Sequence, residues 1–190
     1  MPNIILASAS PRRKELLARL YSKFEIITSD VDETLPSDIH PSCGVEILAI
    51  RKGRAVADSH ADSIVISSDT LVEIDGVPLG KPTSRDDAFR MLSLLSGRYH
   101  NVHTGVAVHY RGRSESGVAT SRVKFKALSE ADIWGYIDTC EPMDKAGAYA
   151  IQGIGGAFVE GYEGEFDTIM GLSVNLTDTL INKILGDSHD

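Results

Sequence analysis

A short apolar run at residues 4–7 predicts a strand over 3–7, because it is bounded by polar residues on both sides. Ser10 and Pro11 then supply an N-cap and a first helical position, and Leu16, Leu17 and Leu20 share one face of the helix that follows. A second strand is expected over 24–27, an exposed acidic loop containing proline over 29–41, and a helix over 45–57. Ile64, Val65 and Ile66 predict a buried strand over 63–68 that ends at Asp69. Strands over 71–74 and 77–79 flank Asp75 and Gly76, the strongest short hairpin signal in the chain.

Ser84 and Asp87 have the spacing of a capping box, with Asp in place of the usual Glu, and open a helix through 95. Alternation over 99–110 and 114–127 predicts two long strands joined at Arg111, Gly112 and Arg113, the antiparallel part of the fold. Ser129 and Asp132 mark another helix start. The Gly-rich stretch 147–164 reads as strands with tight turns, and 175–185 as a closing helix. With no internal repeat, low-complexity tract or linker, the expectation is one α/β domain over 1–190, with room for two lobes.

Charge changes the picture by exclusion. There are 19 basic residues against 27 acidic ones, a net charge of −8, which argues against a surface for non-specific duplex binding. An anionic small molecule is still accessible to such a protein if its few cations gather at one place, since close charges outweigh screened distant ones. The two cysteines, Cys43 and Cys140, form no CxxC pair and no histidine stands at metal-ligand spacing, so neither a disulfide framework nor a structural zinc is indicated. No apolar stretch approaches the roughly 20 residues needed to cross a bilayer. The N-terminal run lacks the basic segment of a signal peptide, and the expected location is the cytoplasm, with no nucleic-acid or membrane partner.

Candidate chemistry begins in the first strand-turn-helix unit. A helix N-terminus offers free backbone N–H groups, and Ser8, Ser10, Arg12 and Arg13 add hydroxyl and guanidinium donors beside it, a combination that suits a phosphate. Neither GxxxxGK[ST] nor GxGxxG is present there, so it is no P-loop or dinucleotide fingerprint. The same residues also describe a capped helix with a solvated basic first turn. Asp69 can hold a divalent metal, take a proton from water, or bond to local backbone in a turn.

Glu33 lies beside Asp30 and Asp32 and is one arm of a metal site or part of a solvated acidic run. Lys52 is flanked by Arg51 and Arg54, and helical neighbours one or two apart point different ways, so only some of them can face a common site. Lys81, between Gly80 and Pro82, is a point charge on a constrained backbone, able to reach phosphate oxygens. Gln152 carries an amide able to bond the edge of a base or to close a turn. His100 and His103 lie in an expected strand and are left out of the site.

In order and separation these segments resemble the Maf-like nucleotide pyrophosphatases: SASPRRKELL over 8–17, Glu33, Lys52, SSDT over 67–70, GKP over 80–82, KAGAYAIQG over 145–153 and MGL over 170–172. The resemblance implies an α/β fold with a mixed central sheet flanked by helices, a smaller lobe and a cleft between, similar in shape to the inosine triphosphate pyrophosphatases. It implies hydrolysis of nucleoside triphosphates to monophosphate and pyrophosphate with a divalent cation, Mg²⁺ or Mn²⁺, held by Glu33 and Asp69. Asp69 would be the base or metal-bound carboxylate, with Glu33, Lys52 and Lys81 completing the catalytic set and Ser8, Ser10, Arg12, Arg13, Thr70 and Gln152 binding substrate. Arg12, Thr70 and Gln152 match the branch acting on dTTP and UTP, and a homodimer is the expected assembly.

One departure is Ser173, where many relatives have Pro, which bears on the path into the last helix. A competing reading, a non-catalytic nucleotide-binding regulator linked to cell division, has no use for Glu33 and Asp69, since negative charge weakens anion binding. A phosphatase removing only the terminal phosphate is a third reading.

Overall fold

The N-terminal apolar run forms strand β1 (Asn3–Leu6), with Ile5 and Leu6 fully buried. Pro11, with its φ already helical and no N–H to lose, starts helix α1 (Pro11–Leu17), which buries Leu16 and Leu17. The chain returns to β2 (Glu25–Ile26), which pairs parallel to β1 with Ile5 opposite Glu25. The computed structural model describes residues 2–36 and 38–186.

Helix α2 (Pro41–Ala57) starts four residues before its expected N-terminus, with Pro41 again at the first helical turn and His40 as its cap. It lies tightly on the sheet. A Cβ at Gly105 would fall 2.4 Å from the carbonyl oxygen of Val45, and one at Gly53 would fall 2.4 Å from Ser67 Oγ. Small residues at these two positions let the helix backbone reach the strands, where any side chain would overpack the contact.

Strand β3 (Ser63–Ile74) corrects the expectation of two strands broken at Asp69: it is continuous for 12 residues. Its first half runs parallel to β1, with Leu6 opposite Ile66. Its second half runs antiparallel to β4 (Val77–Leu79), with Val72 opposite Leu79. Asp69 therefore sits inside a strand where the chain changes partners, and the polar SSDT run imitates a strand end without being one. The hairpin at Asp75 and Gly76 forms as expected, with φ of 54° and 80°, the left-handed pair that a two-residue turn of this hand requires.

Helix α3 (Arg85–Leu95) is capped by Ser84. The long strands β5 (Tyr99–Tyr110) and β6 (Arg113–Phe125) follow, joined through Arg111 and Gly112, and then helix α4 (Glu130–Ile137), whose Ser129 and Asp132 make a complete capping box. The Gly-rich stretch carries more 3₁₀ turn than strand. Ala146–Ala148 and Ile154–Phe158 are 3₁₀, and one strand, β7 (Val159–Glu163), pairs antiparallel to β6. A short helix α5 (Phe166–Met170) was not foreseen, and α6 (Val174–Gly186) closes the chain. Ser173 resolves its own departure: its Oγ accepts the N–H of Leu176 at 3.2 Å, capping α6 where Pro would supply only a fixed φ.

Among the described residues the strands form one mixed sheet in the order β2-β1-β3-β5-β6-β7, with β4 on β3. The chain resolves into two compact units. The first takes residues through Thr70, Thr104–Ala119 and Gly171 onward; the second takes Leu71–His103 and Thr120–Met170. Ile5, Ala7, Val56 and Val65 cluster in the first. The second has a core rich in rings, with Phe125, Tyr136 and Tyr149 among Leu92, Leu95 and Ile137.

Candidate active site

Strand alternation sorts the SSDT run into two faces. Ser67 points at α2, where its Oγ donates to Ala49 O at 2.7 Å. Asp69, two residues on, shares that face and meets the next turn of the same helix, where Lys52 Nζ stands 2.6 Å from Asp69 Oδ1. The same ammonium lies 2.9 Å from Glu33 Oε1. Asp69 and Lys52 are mostly enclosed, with 14% and 17% of their side chains exposed, whereas Glu33 is 60% exposed. Two carboxylates thus converge on one cation, Asp69 from a strand and Glu33 from an irregular loop.

Ser68 and Thr70 point the other way. Ser68 Oγ donates to the carbonyl of Gly171 at 2.8 Å, and Thr70 Oγ1 lies 2.9 Å from Thr104 Oγ1. Arg13, from α1, completes this face: Nε donates to Gly171 O at 2.9 Å, Nη1 to Ser8 Oγ at 3.3 Å and Nη2 to Thr70 Oγ1 at 3.3 Å. Gly171 has φ of 117°, a backbone open to glycine, and a Cβ there would touch Arg13 Nε and Thr70 Oγ1 at 3.4 Å. Burial pulls the Arg13 guanidinium below its ordinary pKa, and the charge of Asp69 pushes it back. Arg13 is therefore a framework cation, with its fork tied to the protein and its charge felt by Asp69.

Ser8 is buried, and its Oγ accepts the N–H of Ser10 at 3.2 Å as well as that of Arg13. Ser10 is the N-cap of α1 by position, but its side chain makes no capping bond. Arg12 is half-buried in the first turn of α1. Residues 3–184 match the profile of the family described as Maf-like protein. The chain belongs to this family.

Over 183 residues it is 47% identical to the dTTP/UTP pyrophosphatase of Moorella thermoacetica, covering 95% of this chain and 94% of that protein. Over 174 residues it is 48% identical to the dTTP/UTP pyrophosphatase of Bacillus velezensis, covering 92% of each. Among solved structures it shares its fold with the Staphylococcus aureus Ham1 protein, at a TM-score of 0.54 and 17% identity over 97% of each chain.

In this Maf-like chain, Ser8, Arg13, Glu33, Lys52, Asp69 and Thr70 all lie within the first unit, joined by the contacts above. Lys81 and Gln152 lie in the second. Lys81 is exposed just beyond β4, where the N–H of Gly147 donates to Gly80 O at 3.0 Å and pins the turn. Gln152 is exposed on a turn held by Glu141, whose carboxylate accepts Ile154 N–H and Gly155 N–H at 3.0 Å each and the hydroxyl of Tyr136 at 2.8 Å. Burial pushes the Glu141 carboxyl up, but these bonds hold it below its usual range.

Among the described residues there is no group of three or more His, Cys, Asp or Glu that could hold a metal ion. Glu33 and Asp69 still suit Mg²⁺ or Mn²⁺, because Mg²⁺ at phosphate sites is held by one or two carboxylates and completed by phosphate oxygens and water. Sequence reasoning missed Ser68, Thr104 and the anchoring roles of Gly171 and Glu141. The alternation within SSDT was the available signal for Ser68, while the partners of Gly171 lie about 100 to 158 residues away in sequence and left no local trace.

Proposed function

We propose that this chain hydrolyses dTTP and UTP, and modified pyrimidine nucleotides of the same shape, between the α- and β-phosphates. The observation that carries this reading is the convergence of Glu33 and Asp69 on Lys52. The identity to dTTP/UTP pyrophosphatases along nearly the whole chain supports it. A binding-only regulator would lose affinity by placing two acids at a triphosphate.

Asp69 takes a proton from a water molecule as its oxygen attacks the α-phosphorus. The bond from the α-phosphorus to the bridging oxygen breaks, and pyrophosphate leaves with the electron pair. Lys52, Arg12, Arg13 and Lys81 offset charge on the phosphates, with no covalent intermediate on the protein. Ser8, Ser10 and Thr70 supply hydroxyls to the substrate, and the Gln152 amide reads the base edge. Glu33 and Asp69 would hold a divalent cation, which would supply Lewis-acid charge at the phosphates.

The chain works as a single domain and a homodimer in the cytoplasm; none of its described helices is long and apolar enough to cross a membrane. A panel of nucleoside triphosphates, scored for pyrophosphate and monophosphate with Mg²⁺, with Mn²⁺ and with chelator, tests the reading. The expected result is metal-dependent pyrophosphate release, fastest on dTTP and UTP. Inactivity across the panel would sink the enzyme reading, and orthophosphate with nucleoside diphosphate would replace it with a terminal phosphatase.

A further inference from the structure

We propose that Arg51 is a positioning residue that holds Glu33 in place for catalysis, an inference that rests on the placement of Glu33 in the active site. Residues 27–36, which carry Glu33, form neither helix nor strand, so no ladder of backbone bonds fixes this side chain. Arg51 supplies what the loop lacks. Its Nη1 donates to the carbonyl of Asp32 at 3.1 Å and to that of Thr34 at 2.8 Å, the residues on either side of Glu33. Asp32 Oδ1 accepts the N–H of Thr34 at 2.8 Å and closes a turn around Glu33, while Ser29 Oγ donates to Lys52 O at 3.4 Å.

Arg51 and Lys52 are consecutive on α2, about 100° apart around the helix axis. Lys52 turns to β3 and receives the Glu33 and Asp69 carboxylates; Arg51 turns to the loop and grips its main chain. One rigid helix therefore sets both ends of the Glu33 contact. A guanidinium suits the task, since a single nitrogen offers two N–H groups in a fixed plane to two carbonyls. Glu33 can lie mostly in solvent and still be held in register with Asp69.

The test is a double-mutant cycle on pyrophosphate release from dTTP, with hydrogen exchange read in parallel. Arg51→Met keeps the helix and the aliphatic stem, and should lower kcat about fivefold through a displaced Glu33, with little change in KM. Arg51→Lys, which retains a donor, should recover most of that loss. In a Glu33→Gln background Arg51→Met should cost nothing further, because it acts through Glu33. The amide of Thr34, bonded to Asp32 Oδ1, should exchange faster in Arg51→Met than in the wild type. A slow Glu33→Gln with a fully active Arg51→Met, a full Arg51→Met loss persisting in Glu33→Gln, or unchanged exchange would overturn the strap alone. Wild-type rates in Glu33→Gln would sink both the strap and the placement of Glu33 in the site.

Discussion

Residues 67–70 of β3, in the first unit, and the rings around Phe125 of β6, in the second, are built on opposite lines. Around Asp69 the groups are polar and each is committed: Ser67 to α2, Ser68 and Thr70 to the Gly171 and Thr104 side, and Asp69 to Lys52. Around Phe125 the contacts are rings on edges, with His100 at 5.0 Å, Tyr149 at 4.8 Å and Phe158 at 6.2 Å between centroids. His100 lies there within 2.8 Å of the Tyr149 hydroxyl, and burial pulls its pKa down to about 4. Burial likewise drives the Tyr149 and Tyr136 hydroxyls above their ordinary range. In this protein the packed core is marked by rings set on edges, and the reactive region by converging opposite charges.

The two regions should therefore fail in different ways. Asp69→Asn should cut pyrophosphate release about 1,000-fold, the scale of a lost general base. Its melting temperature should shift by only a few degrees, since Asn keeps an oxygen for Lys52 Nζ. Phe125→Ala should do the reverse, costing about 3–5 kcal/mol in denaturant titrations while the folded fraction turns over at nearly the wild-type rate. A Phe125→Ala protein that is stable but inactive would erase the distinction.

Acid should expose the aromatic region too. His100 is held neutral in the fold, so the unfolded chain takes up its proton first. Stability from this group is complete above about pH 6.5 and drains as the pH falls to about 4, by about 3 kcal/mol. Stability measured across that window should fall less steeply in His100→Phe than in the wild type. A smaller effect is expected of Glu33→Gln, about tenfold in kcat/KM or about 1.4 kcal/mol. The exposed loop carboxylate contributes less than the enclosed strand carboxylate, and an effect equal to that of Asp69→Asn would break that ranking.

Much of this was legible in sequence where the signals are local. The hairpins at Asp75 and Arg111 and the caps at Ser84 and Ser129 stand where turn and capping chemistry put them. The continuity of β3 was not legible, because the polar SSDT run reads as a strand end until its long-range pairing partners are known. The Gly-rich stretch misled for a related reason: glycine signals a turn without saying whether strand or 3₁₀ turn joins it. In the candidate site, Lys52 was singled out but not its choice of face, which follows from Gly53 and Ser67 in contact. Arg51 was passed over because its partners are backbone carbonyls, which have no sequence signature.

The central claim is that water, deprotonated at Asp69, attacks the α-phosphorus. Hydrolysis of dTTP in ¹⁸O-water tests it directly, by mass analysis of the two products. The account predicts the label in the monophosphate and none in pyrophosphate. Label in pyrophosphate would mean attack at the β-phosphorus with the same products, and would contradict the placement of Asp69 at the α-phosphate.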